Sequence, residues 1–201
     1  VASLVRPADE LLVAPGDTGP VAAAPSADPE SSFATSSPQQ PAPGSEIPIG
    51  MDAQLPGFTV VTPAPGDWKP VERDRQLGFA IKAPDGESYL SIQQWKLEPS
   101  HYRDQDLTMA EIANAHHFFS SEPQPVGGPS PYWISGSGYR LELVSQRLSW
   151  GWAGGEALVV SRYMPNTGTR VMITAVAPSG HLDDPASPIS QKLAQISFTV
   201  P

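Results

Sequence analysis

The sequence predicts an α+β domain: an antiparallel sheet of about six strands with two helices packed on it, in the order β-β-α-β-β-β-α-β. Three observations support this prediction. Several stretches alternate apolar and polar residues as strands do. Most connections between them are too short for the crossovers that parallel strands need. Two further stretches place apolar residues at helical spacing.

The first 50 residues have a different composition from the rest of the chain. They hold nine of the 24 prolines, six acidic residues and one basic residue, Arg6. Proline removes backbone donors, and the small residues around it bury too little surface to offset the entropy of ordering. We therefore predict an extended Pro/Ala/Ser-rich arm over residues 1–50, a lead-in segment over 51–75 and the α+β domain over 76–201.

The arm begins with a short apolar pattern. Leu4, Leu11 and Leu12 have helix-like spacing, but Pro7 interrupts it, so an independent helix is not expected. We predict instead that this segment docks on another molecule.

The domain is expected to open with a hairpin. A short strand at Phe58–Val61 belongs to the lead-in, and the alternating run 77–84 then supplies the first strand of the hairpin. Asp85 and Gly86 favour a turn, and the partner strand follows over residues 88–97.

A helix is predicted from about Met109 to Ser120. Thr108 suits its N-cap, and Glu111 three residues later completes a capping-box pattern. The apolar spacing continues to Phe119, and the run 121–131, rich in proline and glycine, is predicted as a loop.

Three strands of an antiparallel meander come next. They are predicted within residues 132–150 (strongest over 139–148), at 157–164 and at 169–177. The second helix covers 183–196, with Pro188 in its first turn and Asp183 or Asp184 as N-cap, and a strand at 197–200 closes the chain.

Three segments carry a resemblance to a known family: Gly78–Pro84 (GFAIKAP), Thr169–Ala177 and Gln191–Phe198 (QKLAQISF). With the order of elements, they resemble the PsbP-like family, the extrinsic subunits of photosystem II and their secreted bacterial relatives. The match covers roughly residues 76–200. In that family a tryptophan usually follows the first proline closely. This chain differs, because Asp85 and Gly86 follow Pro84. The resemblance implies a photosynthesis-related, non-enzymatic accessory subunit on the outer side of a membrane complex.

Composition and charge exclude several function classes. A net charge of −9 argues against a general nucleic-acid binder, and the absence of cysteine excludes disulfides, thiolate metal sites and a cysteine nucleophile. No apolar run approaches the roughly 20 residues of a membrane span. Because the chain starts at Val1, we expect that a signal peptide or anchor has been removed and that the protein is periplasmic or secreted.

Three polar clusters were weighed as chemical sites: His116 with His117, His181 with Asp183 and Asp184, and the run Ser135–Gly138. The two adjacent histidines point about 100° apart on a helix, whereas paired ligands need a spacing of three or four residues. An aspartate before a helix is explained as its N-cap. The serine-glycine run lacks the spacing of a nucleophile elbow. We therefore predict no catalytic residue, no cofactor and no metal site.

Two tryptophans are the most distinctive aromatic feature. Trp150 and Trp152 flank Gly151 in a predicted turn and should point the same way. Three interpretations stay open for them, namely core packing, contact with a partner protein and stacking on a sugar.

These features predict a protein that acts by binding. We expect a non-enzymatic accessory subunit of a larger extracytoplasmic or membrane-associated complex, with the arm lying along partner subunits. The predicted partner-binding residues are Trp150, Trp152, Leu4, Leu11 and Leu12. The alternative is a cell-envelope module that binds glycan or lipid, with the arm as a flexible spacer.

Overall fold

The computed structural model describes residues 41–51, 55, 57–71, 78–151 and 154–201. Most of the predicted arm, with Leu4, Leu11 and Leu12, therefore lies outside the described residues, and so does Trp152. The strands are β1 Glu46–Ile47, β2 Thr59–Val61, β3 Lys69–Pro70, β4 Phe79–Lys82, β5 Tyr89–Lys96, β6 Gln124–Gly136, β7 Tyr139–Trp150, β8 Gly155–Met164, β9 Thr169–Pro178 and β10 Ser197–Thr199. The helices are α1 Asp104–Ala113 and α2 Pro188–Ala194, and a 3₁₀ turn covers Ala115–Phe118.

The described strands form one curled sheet in the order β2-β10-β6-β7-β8-β9-β5-β4-β3, and β1 pairs with β7 beside this path. The α+β class with two helices is confirmed. The predicted six strands are too few. The sheet is also mixed, since β1 pairs with β7 and β10 with β6 in parallel. The additional strands β1 and β3 are two residues long, too short to show a period in sequence.

Strand β6 corrects the predicted loop over residues 121–131. Its three prolines, Pro125, Pro129 and Pro131, disfavour a strand in the middle of a sheet. In the described structure, however, β6 pairs with β7 alone except at Ser135, where it meets β10, and its pairing with β7 is interrupted between Val126 and Ser130. An edge strand tolerates proline because its outward N–H groups have no ladder partner to lose.

The long stretch 132–150 is accordingly two strands, and the turn between them is short. Ser137 and Gly138 both have positive φ, 47° and 78°, as two-residue hairpin turns require. The run Ser135–Gly138, weighed above as a chemical site, is therefore a β-hairpin corner.

The sheet carries a buried apolar layer on each face. On β8, Leu158 and Val160 belong to the larger layer, which α2 covers, while Ala157 and Val159 belong to the smaller layer, which α1 covers. Because both faces of β8 are covered, its apolar residues follow one another without alternating with polar ones.

Both helices begin at positions other than those predicted. Helix α1 begins at Asp104, and Thr108, predicted as its N-cap, is a buried residue inside it. Helix α2 begins at Pro188, with Ser187 as N-cap, so Asp183 and Asp184 lie before the helix and do not cap it. In α1 the cause is tertiary: the side chain that would suit a cap is used for contacts with the sheet.

Candidate partner-binding surface

Strands β7 and β8 separate part of the way along the sheet, and α1 packs at this fork. The two strands pair from Trp150 with Gly155 to Val144 with Ser161. Beyond Val144, β1 pairs with β7 at Arg140 and Leu141. We refer to the place where β8 leaves β7 as the fork.

A buried ion pair fills the fork. Arg162 Nη2 donates to Asp104 Oδ2 at 2.7 Å, and the two side chains are 0% and 1% exposed. The guanidinium also donates to the Glu142 carbonyl at 2.6 Å and to the Pro48 carbonyl at 3.2 Å. Asp104 Oδ2 further accepts the Gly50 N–H at 2.8 Å. One charged cluster thus joins β7, β8, the segment after β1 and the start of α1.

Two further side chains of α1 bond to the sheet. Thr108 Oγ1 accepts the Tyr163 N–H at 2.9 Å, which satisfies a donor that β8 no longer offers to β7. Glu111 Oε1 accepts from Arg170 Nε at 2.9 Å and Nη2 at 2.6 Å, and its Oε2 accepts from Ser161 Oγ at 2.7 Å. These contacts fix both the position and the rotation of α1.

The loop that leads into α1 is also fixed. Leu97 N–H donates to the Gly168 carbonyl at 2.7 Å, and Ser100 N–H donates to the Pro165 carbonyl at 2.8 Å. Gly168 has a φ of +66°, and a Cβ at this position would collide with the Leu97 carbonyl. The loop is therefore tied at two points to the turn between β8 and β9.

This loop and helix carry most of the exposed large apolar side chains. Among the described residues five such side chains are exposed, and three of them lie here: Leu97 (36%), Tyr102 (72%) and Met109 (38%). Arg103 is exposed beside Tyr102. Tyrosine, methionine and arginine are enriched in protein interfaces. We call the segment Leu97–Met109 the 97–109 surface.

The predicted contact residue Trp150 lies in the core. Its side chain is 8% exposed, its Nε1 donates to Ser121 Oγ at 2.6 Å, and its ring meets Phe119 edge-on at 5.1 Å. This is the core-packing alternative that the sequence left open. Trp152, Leu4, Leu11 and Leu12 lie outside the described residues.

Two of the polar clusters considered in the sequence make contacts within the protein. The rings of His116 and His117 lie 3.8 Å apart, and Asp183 pairs with Arg147 at 2.5 Å. Across the described ranges no three histidine, aspartate or glutamate residues form a group that could hold a metal ion.

Sequence reasoning missed the 97–109 surface. The consecutive residues His101, Tyr102 and Arg103 are the signal that was available, but a predicted helix start at Met109 placed them in a featureless loop. None of the helices in the described part of the chain is long and apolar enough to cross a bilayer.

Neither a protein-family model nor a curated protein sequence matches this chain. Among solved structures, it is similar to a crystal structure from Bacteroides thetaiotaomicron VPI-5482, at 12% identity and a TM-score of 0.36. That match covers 72% of this chain and 45% of the other, so this chain spans less than half of that protein. It is also similar to the solution structure of cyanobacterial PsbP (CyanoP) from Synechocystis sp. PCC 6803, at 9% identity and a TM-score of 0.40, over 73% of this chain and 94% of that one.

Proposed function

We propose that the protein is a non-enzymatic accessory subunit of a larger extracytoplasmic or membrane-associated complex. It binds partner subunits through the 97–109 surface, and its N-terminal arm lies along them. The observation that carries this proposal is Tyr102, a large aromatic side chain that is 72% exposed on a rigidly held loop.

A tyrosine in this position suits an interface anchor. Burial of such a residue at the centre of an interface is worth about 2 kcal/mol or more, as measured by truncation to alanine. The loop is tied down through Leu97 and Ser100, so little backbone entropy remains to be lost when a partner binds. Preorganisation of this kind favours binding.

The ionisable side chains around α1 support a binding role over a catalytic one. Asp104 accepts hydrogen bonds from Arg162 and Gly50, and Glu111 accepts them from Arg170 and Ser161. These carboxylates hold the helix on the sheet, while Tyr102, Arg103 and Met109 face solvent in the 97–109 surface.

The arm leaves the domain from an anchored point. Tyr139 Oη donates to the Pro41 carbonyl at 3.1 Å, and Gly44 N–H donates to the Gly138 carbonyl at 2.5 Å. A proline-rich arm that starts from a fixed base can follow the surface of a neighbouring subunit, where its ordering is coupled to binding.

Site-specific photocrosslinking tests the surface directly. A photoreactive amino acid at Met109, in the cells that make the protein, should give one discrete crosslinked adduct, and Tyr102→Ala in the same chain should reduce its yield at least tenfold. The matched control position is Val126, which is 52% exposed on edge strand β6 and should give no such adduct. Equal labelling from both positions, or an adduct indifferent to Tyr102→Ala, would contradict the proposal.

Limited proteolysis tests the role of the arm separately. Sites before residue 41 should be cleaved more slowly in the membrane fraction that yields the adduct than in the isolated protein, while residues 41–50, which are bonded to the domain, should resist cleavage in both. Cleavage before residue 41 at the same rate in both would show that the arm does not lie along a partner.

A further inference from the structure

A groove lies between β2 and the end of β5, directly before Leu97, the first residue of the 97–109 surface. It has a volume of about 290 Å³ and separates β2 from the last residues of β5. The residues that line it are Gly57, Phe58, Thr59, Gln94, Trp95, Lys96, Thr169 and Pro201.

One side-chain amide crosses this groove. Gln94 Nε2 donates to the Phe58 carbonyl at 2.7 Å, and Gln94 Oε1 accepts the Val60 N–H at 2.9 Å. Strand β2 pairs with β10 along its other edge. The Gln94 amide therefore occupies the place that a peptide group of an added strand would take on the open edge of β2.

The opposite wall of the groove is also the edge of a strand. Strand β4 pairs with β5 only from Tyr89 to Ile92, and the pairing ends where Phe79 lies opposite Ile92. In the described part of the chain no strand continues on that side of Gln93–Lys96. Among the described residues, the edge of β2 and the end of β5 thus face one groove, and the Gln94 side chain bridges it.

The charge of the groove selects the kind of segment that fits. Lys96 is the only lining residue with an ionisable side chain, and its Nζ donates to the Thr167 carbonyl. No carboxylate of the described residues forms an ion pair with it. Lys96 therefore supplies one cationic side chain to the groove.

We propose that the groove binds an extended, acidic peptide segment of a partner protein. The backbone of the segment takes over the Phe58 carbonyl and the Val60 N–H from the Gln94 amide, as in strand addition, and one of its carboxylates pairs with Lys96. This site does not depend on the 97–109 surface, so either can fail while the other holds.

Titration with model peptides, followed by NMR, tests this proposal. The probe is a blocked hexapeptide of alternating valine and glutamate, and the control peptide alternates valine and lysine. The glutamate peptide should shift the backbone amide signals of Phe58 and Val60 and the side-chain amide of Gln94, and the lysine peptide should not. Absence of these shifts at millimolar peptide, or equal shifts with both peptides, would overturn the proposal.

Two substitutions sharpen the test. Lys96→Gln should weaken binding of the glutamate peptide up to about fivefold, the range of an exposed ion pair. The matched control Lys82→Gln, on the distant edge hairpin of β3 and β4, should leave the affinity unchanged. Gln94→Ala opens the groove and should strengthen binding. If Gln94→Ala does not fold, the Lys96→Gln and Lys82→Gln comparison decides, and equal affinities for those two would count against the site.

Discussion

Arg162 and Asp104 form an ion pair of 2.7 Å at the fork between β7 and β8, with both side chains almost completely buried. The pair explains why α1 can sit where two sheet strands separate. The Arg162 guanidinium donates to carbonyls of β7 and of the segment after β1. The carboxylate that it also binds belongs to Asp104, the first residue of the helix. The buried charge cluster therefore holds the start of helix α1 against the sheet.

Removal of the carboxylate should be strongly destabilising. Asp104→Ala removes the carboxylate that pairs with the buried Arg162 side chain, and we expect a loss of about 3–5 kcal/mol in the free energy of unfolding. Urea denaturation followed by far-UV circular dichroism measures it. The control is Asp183→Ala, which breaks the exposed pair with Arg147 and should cost less than about 1 kcal/mol. Similar losses in both variants would show that the buried pair does not carry this role.

The Thr108 hydroxyl should contribute separately to the same fork. Thr108→Val keeps the shape of the side chain but leaves the Tyr163 N–H without its acceptor, at a cost of about 1–3 kcal/mol. Hydrogen exchange of the Tyr163 amide should accelerate in Thr108→Val and stay slow in Thr108→Ser, which keeps a hydroxyl. Exchange unchanged by valine would mean that this bond is unimportant in solution.

Local patterns predicted the elements that depend on local physics. Apolar runs between turn residues located β8 and β9, because residues on both faces of these strands are buried. The start of α1 could not be found in this way. Thr108 and Glu111 have the spacing of a capping box, yet both are used in contacts with residues 50 or more positions away in the chain.

The same limit applies to the candidate surface. Sequence alone left Trp150 between core and surface, and its burial depends on Phe119 and Ser121, which reach it only through the tertiary fold. The exposure of Tyr102 was equally hard to predict, since nothing nearby in sequence shows that its loop is tied to the turn between β8 and β9. The exposure of an aromatic residue is a property of the assembled fold.

Trp150 should accordingly behave as a core residue in mutagenesis. Trp150→Ala should cost about 3–5 kcal/mol, as expected for a large aromatic side chain removed from a packed layer. Trp150→Phe keeps much of the apolar volume but leaves Ser121 Oγ without its donor, so a smaller loss is expected. Thermal denaturation of both variants measures the losses. A fully stable Trp150→Ala protein would instead support an exposed contact role.

The half-buried Tyr132 on β6 should make stability depend on alkaline pH. Burial raises the pKa of its phenol above the ordinary value of 10.0, because phenolate is poorly solvated there. The folded protein thus retains the Tyr132 proton where the unfolded chain has begun to release it. The stabilisation from this group is complete below pH 10 and is lost as the pH rises through the folded pKa. In urea denaturation from pH 8 to 11, Tyr132→Phe should lose less stability than the unmodified chain. The exposed control Tyr102→Phe should follow the unmodified chain, and identical slopes for all three would contradict this linkage.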